Sequence, residues 1–119
     1  MKILLVDDEP QALSLLSRFL QVRGYQTLVA HDGEAAIELF LRERPDLALL
    51  DIRMPGIDGL QVLREIKSID PEALVVMVTA VRESGPEAEA LEAGALGYIT
   101  KPIDPILLEC AIKELAIHK

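Results

Sequence analysis

Tryptophan is absent from the 119-residue sequence, and aromatic residues of every kind make up 3% of it. Stacking platforms for nucleic-acid bases, which need exposed rings, are therefore not expected. Positive charge is also scarce: 12 Lys and Arg stand against 20 Asp and Glu, a formal net charge of −8. Nucleic-acid binding rests on neutralising phosphates with cationic side chains, so direct contact with DNA or RNA is not expected. If the chain controls a gene, another domain or partner touches the DNA. The single cysteine, Cys110, rules out an internal disulfide and fits a reducing compartment. No apolar run approaches the ~20 residues that span a bilayer. The opening Met1–Val6 stretch stops at Asp7-Asp8, too short for a signal peptide. These absences point to the cytoplasm and away from a membrane.

Half of the residues are hydrophobic and 27% are charged, the balance of a globular chain, and the length suits one domain spanning residues 1–119. Short apolar runs alternate with longer amphipathic segments. Lys2–Val6 reads as a buried strand, followed by a helical face of Leu13, Leu16 and Leu20 beside Leu15, Phe19 and Val22 that ends at Gly24. Gln26–Ala30 is a more polar strand, suited to a sheet edge. Asp32 caps a helix carrying Ala36, Ile37 and Phe40, which Pro45 closes. Leu47–Leu50 is an uninterrupted apolar strand. Asp58, with Gln61 three residues on, caps a helix running through Leu60, Leu63 and Ile66 to Asp70-Pro71. Ala73–Val78 is a valine-rich strand expected to be buried on both faces. Ser84-Gly85-Pro86-Glu87 has capping-box spacing and opens a short helix that stops at Gly94. Gly97–Thr100 is the last strand, and Asp104-Pro105 starts the last helix. Strands that alternate with helices in this way imply an α/β fold, a parallel sheet covered on both faces.

On that plan the polar residues gather at one rim. Asp7 and Asp8 follow the first strand, Asp51 follows the third, Thr79 ends the fourth and Lys101 follows the fifth. Open α/β sheets bind ligands at the carboxyl ends of their strands. Three carboxylates meeting there repel one another unless a cation intervenes. Oxygen ligands without Cys or His favour a hard ion, Mg²⁺ or alternatively Mn²⁺. Lys101 then offers charge to phosphate oxygens and the Thr79 hydroxyl a hydrogen bond. An aspartate set between a cation and a lysine is a reasonable nucleophile towards phosphorus, giving an aspartyl phosphate.

Four segments carry a family resemblance: Val6-Asp7-Asp8-Glu9-Pro10, then Leu50 through Gly59 (Leu-Asp-Ile-Arg-Met-Pro-Gly-Ile-Asp-Gly), Val78-Thr79-Ala80, and Gly97-Tyr98-Ile99-Thr100-Lys101-Pro102. In this order and at these separations they resemble the receiver domain of two-component response regulators, the CheY-like family, over essentially the whole chain. The resemblance implies a flavodoxin-like, doubly wound five-stranded parallel sheet of order 2-1-3-4-5. It implies Asp51 as phosphoacceptor, served by a phosphohistidine on a sensor histidine kinase or phosphotransfer protein. It implies Mg²⁺ held by Asp8, by Asp7 mostly through water, by Asp51, and by the Arg53 backbone carbonyl. Thr79 and Tyr98 resemble the family's switch pair, Lys101 its phosphate ligand, and Lys101–Pro102 a peptide bond that is cis in the family. On this reading the chain is a signalling receiver, not an enzyme beyond its own phosphoryl transfer and dephosphorylation. It is expected to be a stand-alone receiver or the amino-terminal piece of a longer regulator, acting on an output domain or partner protein.

Several of these residues also admit plainer structural roles. Asp7 and Asp8 also suit a helix cap, Asp51 a turn residue before Met54-Pro55-Gly56, and Tyr98 a fixed, half-buried aromatic. Cys110 reads as a small helix residue, His31 and His118 as surface residues, and Glu9 as a helix-start charge. A haloacid-dehalogenase-type phosphatase shares the Asp, Thr, Lys and Mg²⁺, but such enzymes commonly carry a second aspartate where Arg53 stands. A flavodoxin-like cofactor carrier is opposed by the acidic turn after the first strand. A pseudo-receiver acting by contacts alone is opposed by the complete set of site positions. Arg53 and Val81, two residues after Asp51 and Thr79, lead us to expect slow to moderate self-dephosphorylation. In the last helix, Leu108, Ile112 and Leu115 suit the sheet side. Ile106, Leu107, Cys110 and Ala111 fall partly outside, which suits a partner or homodimer surface on the fourth helix, fifth strand and fifth helix.

Overall fold

This computed structural model describes residues 1–54, 56–79 and 84–118, those at 84–87 and 116–118 by backbone alone. The order is β1 (Lys2–Val6), α1 (Pro10–Val22), β2 (Gln26–Ala30), α2 (Gly33–Glu43), β3 (Leu47–Asp51), α3 (Gly59–Ile69), β4 (Val75–Thr79), α4 (Ser84–Glu92), β5 (Gly97–Thr100) and α5 (Pro105–His118). All strand pairings are parallel, and the sheet order is β2-β1-β3-β4-β5. β1 thus has β2 on one side and β3 on the other. The winding reverses there, which opens a crevice above the carboxyl ends of β1 and β3.

The uninterrupted apolar runs are explained by the two layers they face. Alternate side chains of a strand point to opposite sides. Leu4, Val6, Ala48, Leu50, Val75 and Met77 pack with α2, α3 and α4, whereas Ile3, Leu5, Leu47, Leu49 and Val78 pack with α1 and α5. Each fully buried Leu or Ile in these layers contributes roughly 1.5–3 kcal/mol relative to exposure, so the core sits in the sheet and its two covers. Three aspartates start helices: Asp32 accepts from the Ala35 N–H at 2.8 Å, Asp58 from Gln61 at 2.9 Å and Asp104 from Ile106 at 2.9 Å. α1 and α4 are followed by Gly24 and Gly94, at φ +93° and +108°, where a side chain would be strained.

Two expectations need correction. Leu15 and Val22 do not join the buried face of α1; they are 71% and 84% exposed. Ser17 takes a buried place instead, its hydroxyl 2.6 Å from that of Thr27 on β2, with the Gln21 amide donating to both. A buried hydroxyl is tolerated because it is bonded. β4 begins at Val75, not Ala73, because the Asp70 turn runs on: its carbonyl takes the Ala73 N–H and its side chain the Glu72 N–H. On α5, Leu108 and Ile112 are buried and Leu115 partly so, while Ile106, Leu107, Cys110 and Ala111 are exposed. Pro55, Ala80, Val81 and the Ser84–Glu87 side chains lie outside the described residues.

Candidate phosphoryl-accepting site

Backbone pairing delivers the polar residues to one place. Beyond the end of β1, the Asp7 N–H still bonds the Ala30 carbonyl at 3.2 Å; beyond β3, the Ile52 N–H bonds the Val78 carbonyl at 2.9 Å. Beyond β5, the Lys101 N–H reaches the Thr79 carbonyl at 2.7 Å. The Lys101–Pro102 peptide bond is cis. Asp51 and Thr79 therefore end strands, and Asp7 and Lys101 continue them, in ladders that the apolar core has already placed in register.

Asp7 and Asp51 are 6% and 4% exposed, and Asp8 faces solvent. One carboxylate oxygen from each of the three lies within 4.8 Å of the others. Lys101 Nζ stands 2.9 Å from Asp7 Oδ2 and 2.9 Å from Asp51 Oδ2. The other oxygens take backbone donors: Asp7 Oδ1 accepts from Glu9 N–H at 3.0 Å and Asp51 Oδ1 from Arg53 N–H at 3.1 Å. Burial pushes the Asp51 carboxyl above its usual 3.8, more than Lys101 and the Arg53 N–H can offset, and the Asp7 charge adds to the rise. Burial pushes Asp7 the same way, but the Glu9 N–H and Lys101 outweigh it and hold Asp7 below 3.8. The lysine's partial burial would lower its own value, and the two carboxylates more than reverse that. One ammonium is thus shared, at equal distance, by two buried carboxylates.

Among the described residues, three carboxylates gather around the Lys101 ammonium, which makes the pocket rich in negative charge. The donors are all oxygens, close enough for one ion, and two are buried where water cannot screen them. This set fits a hard divalent cation. Among the other expected site residues, Thr79 is buried at the end of β4, opposite Thr100 in register. Tyr98 stands apart: it is 44% exposed and lines a cleft under β5 with Leu96, Leu108 and Ala111. The Arg53 side chain is exposed.

Two features were not foreseen. A groove of about 540 Å³ opens beside Asp7 and Lys101, walled by Ala12, Leu15, Leu16, Ile103 and Pro105; the sequence carried no signal of it, because Leu15 reads there as part of the helix's apolar face. Gly59 lies against the end of β3, and its N–H bonds the Ile52 carbonyl at 2.9 Å. A Cβ there would collide with the Asp51 carbonyl and come within 2.8 Å of Ile52 Cα.

Residues 3–113 match the family model of the response regulator receiver domain. The chain is 40% identical over 113 residues to sporulation initiation phosphotransferase F of Bacillus subtilis, covering 95% of this chain and 91% of that protein. It is also 40% identical over 103 residues to the regulatory protein AtoC of Escherichia coli; the match covers 87% of this chain but only 22% of that longer relative. Among solved structures, a CheY-like response regulator receiver domain protein from Methanospirillum hungatei superposes with a TM-score of 0.92 at 32% identity, covering 95% of this chain and 90% of that one.

Proposed function

Because this chain belongs to the family of response regulator receiver domains, we propose that Asp51 is its phosphoacceptor and that residues 1–119 form one receiver unit. The observation that carries the reading is the buried Asp51 carboxylate, 2.9 Å from the Lys101 ammonium and within one ion's reach of Asp7 and Asp8. Asp51 attacks the phosphorus of a phosphohistidine on a sensor histidine kinase or phosphotransfer protein. An O–P bond forms, the N–P bond breaks, and the imidazole leaves with the bonding pair and takes up a proton. Asp7, Asp8, Asp51 and the Arg53 backbone carbonyl would hold Mg²⁺, with Mn²⁺ as substitute; when bound, the ion supplies charge to the phosphoryl oxygens. Lys101 would meet the same oxygens with its charge, and the Thr79 hydroxyl would donate a hydrogen bond to them. The same pocket later admits water, so the chain's chemistry is limited to its own phosphorylation and dephosphorylation.

A carboxylate only 4% exposed needs its donor brought close by the surrounding surface. The apolar groove of Ala12, Leu15, Leu16, Ile103 and Pro105 supplies such a surface. For output, the added charge of about −1.5 to −2 biases Thr79 and Tyr98 between two arrangements. In one of these the Tyr98 ring turns inward. The face of α4, β5 and α5 carries the exposed Leu91, Leu96, Tyr98 and Leu107, suited to an output domain, a partner protein or a second copy. No described helix is long and apolar enough to cross a membrane, the acidic charge disfavours direct nucleic-acid contact, and membership of the receiver family supports a cytoplasmic location. Incubation with Mg²⁺ and acetyl phosphate tests the reading: the wild type should gain one phosphoryl group and Asp51→Ala none.

A further inference from the structure

We propose that the cavity between β5 and α5 binds a small apolar molecule carrying one ammonium group, a primary amine on an aromatic or branched aliphatic body. The site lies at the amino ends of the strands. β3 begins at Leu47 and β5 at Gly97, both on its wall, and Lys101 follows Gly97 by about 13 Å of extended chain. It is separate from the phosphoryl pocket and needs none of that pocket's chemistry.

Leu5, Leu49 and Val76 stand side by side across β1, β3 and β4 on the α5 face of the sheet, and β5 continues that row with Gly97. Neither backbone nor space requires a glycine there. Its φ lies outside the left-handed region, unlike those of Gly24, Gly56 and Gly94, and a Cβ would meet nothing within 4 Å beyond its chain neighbours. The register to β4 runs unbroken, so no bulge accounts for it either. Glycine weakens a strand, and one without these reasons marks a place where another group approaches the backbone. The missing side chain leaves a cavity of about 320 Å³ that runs from the half-exposed Leu96 to the fully buried Ile112. That volume falls within the range of small-molecule sites, and an apolar space of this kind holds apolar matter better than water. Glu114 supplies the one polar demand. Among the described residues it is the only charged group on the wall, and it has no ion pair or hydrogen bond, whereas Glu109 on the same helix is paired with Arg23 and Lys113. An ammonium on the occupant complements that carboxylate, and an anion is repelled by it. The chain's net charge of −8 acts in the same direction.

Tryptamine tests this, because it joins an apolar bicycle to an ammonium and its indole fluorescence has no rival in a chain without tryptophan. Titration of the full chain should shift that emission to the blue and raise its anisotropy, saturating at one molecule per chain. Indole-3-propionate, the same skeleton ending in a carboxylate, should bind at least about fivefold more weakly. Gly97→Leu, which completes the apolar row, should abolish saturable tryptamine binding without lowering the melting temperature. No saturable binding by wild type, equal binding of the two probes, or tryptamine binding that survives in folded Gly97→Leu overturns the proposal; the last result would send the probe to another surface. If Gly97→Leu fails to fold, Ala111→Leu fills the cavity from the exposed α5 wall and carries the same expectation. Glu114→Gln, at an exposed position, should narrow the preference for tryptamine over indole-3-propionate, and an unchanged preference overturns the assignment of the ammonium.

Discussion

The Lys101 ammonium lies 2.9 Å from the Asp51 carboxylate across fifty residues of chain, and a contact so distant in sequence exists only when the sheet is formed. It therefore links protonation to folding. The native lysine is held above its usual 10.5, burial lowering it and Asp51 and Asp7 raising it by more. A cation whose native value exceeds its unfolded one contributes stability that is complete below the unfolded value and fades as pH rises through the native value. Metal-free wild type should accordingly lose its advantage over Lys101→Met above about pH 10.5. Urea unfolding of both proteins across that window measures the difference, and parallel curves would contradict it.

Gly59 supports Asp51 from behind. Because a Cβ at that position meets the Asp51 carbonyl and Ile52 Cα, Gly59→Ala has to move the end of β3 or the start of α3. The expected cost is about 1–3 kcal/mol, with slower labelling of Asp51 by acetyl phosphate. A crystal structure of the variant with an unmoved Asp51 and unchanged labelling would show the contact to be harmless.

Arg53 follows the acceptor by two residues, its N–H bonded to Asp51 at 3.1 Å and its large cationic side chain exposed beside the pocket. It carries no carboxylate or amide to orient an attacking water. The phosphorylated protein should therefore lose its label over minutes or longer. Radiolabel decay measures this directly; a half-life of seconds is incompatible with the reading.

The apolar side chains left outside on α4, β5 and α5 make an association prediction. Light scattering with a phosphate mimic should show a larger mass than without it if this face joins two copies. A monomer in both states removes the dimer and leaves the face to a different partner.

How much of this was legible depended on range. Asp32, Asp58 and Asp104 could be read as caps because a cap is a contact between residues two or three apart. The strands could be read because Ile3–Val6 and Leu47–Leu50 face two apolar layers and so carry no polar interruption. The rim was legible because polar residues break those runs at the same end of each strand. The pairing of Ser17 with Thr27 was not legible, since it joins a helix to an edge strand and neither residue announces a partner. Leu15 and Val22 look like core residues on a helix as apolar as α1, and only the position of the sheet shows that they point outward. Gly59 could be seen as a turn glycine, but its closeness to Asp51 is a matter of packing. The sharing of Lys101 between two carboxylates is likewise a distance, not a pattern.

The most direct measurement is to locate the phosphoryl group itself. After reaction with acetyl phosphate and Mg²⁺, reductive trapping of the acyl phosphate and peptide mass mapping should place one modification on Asp51. A modification on His31, or on Asp7 or Asp8 with Asp51 untouched, would contradict the account at its root.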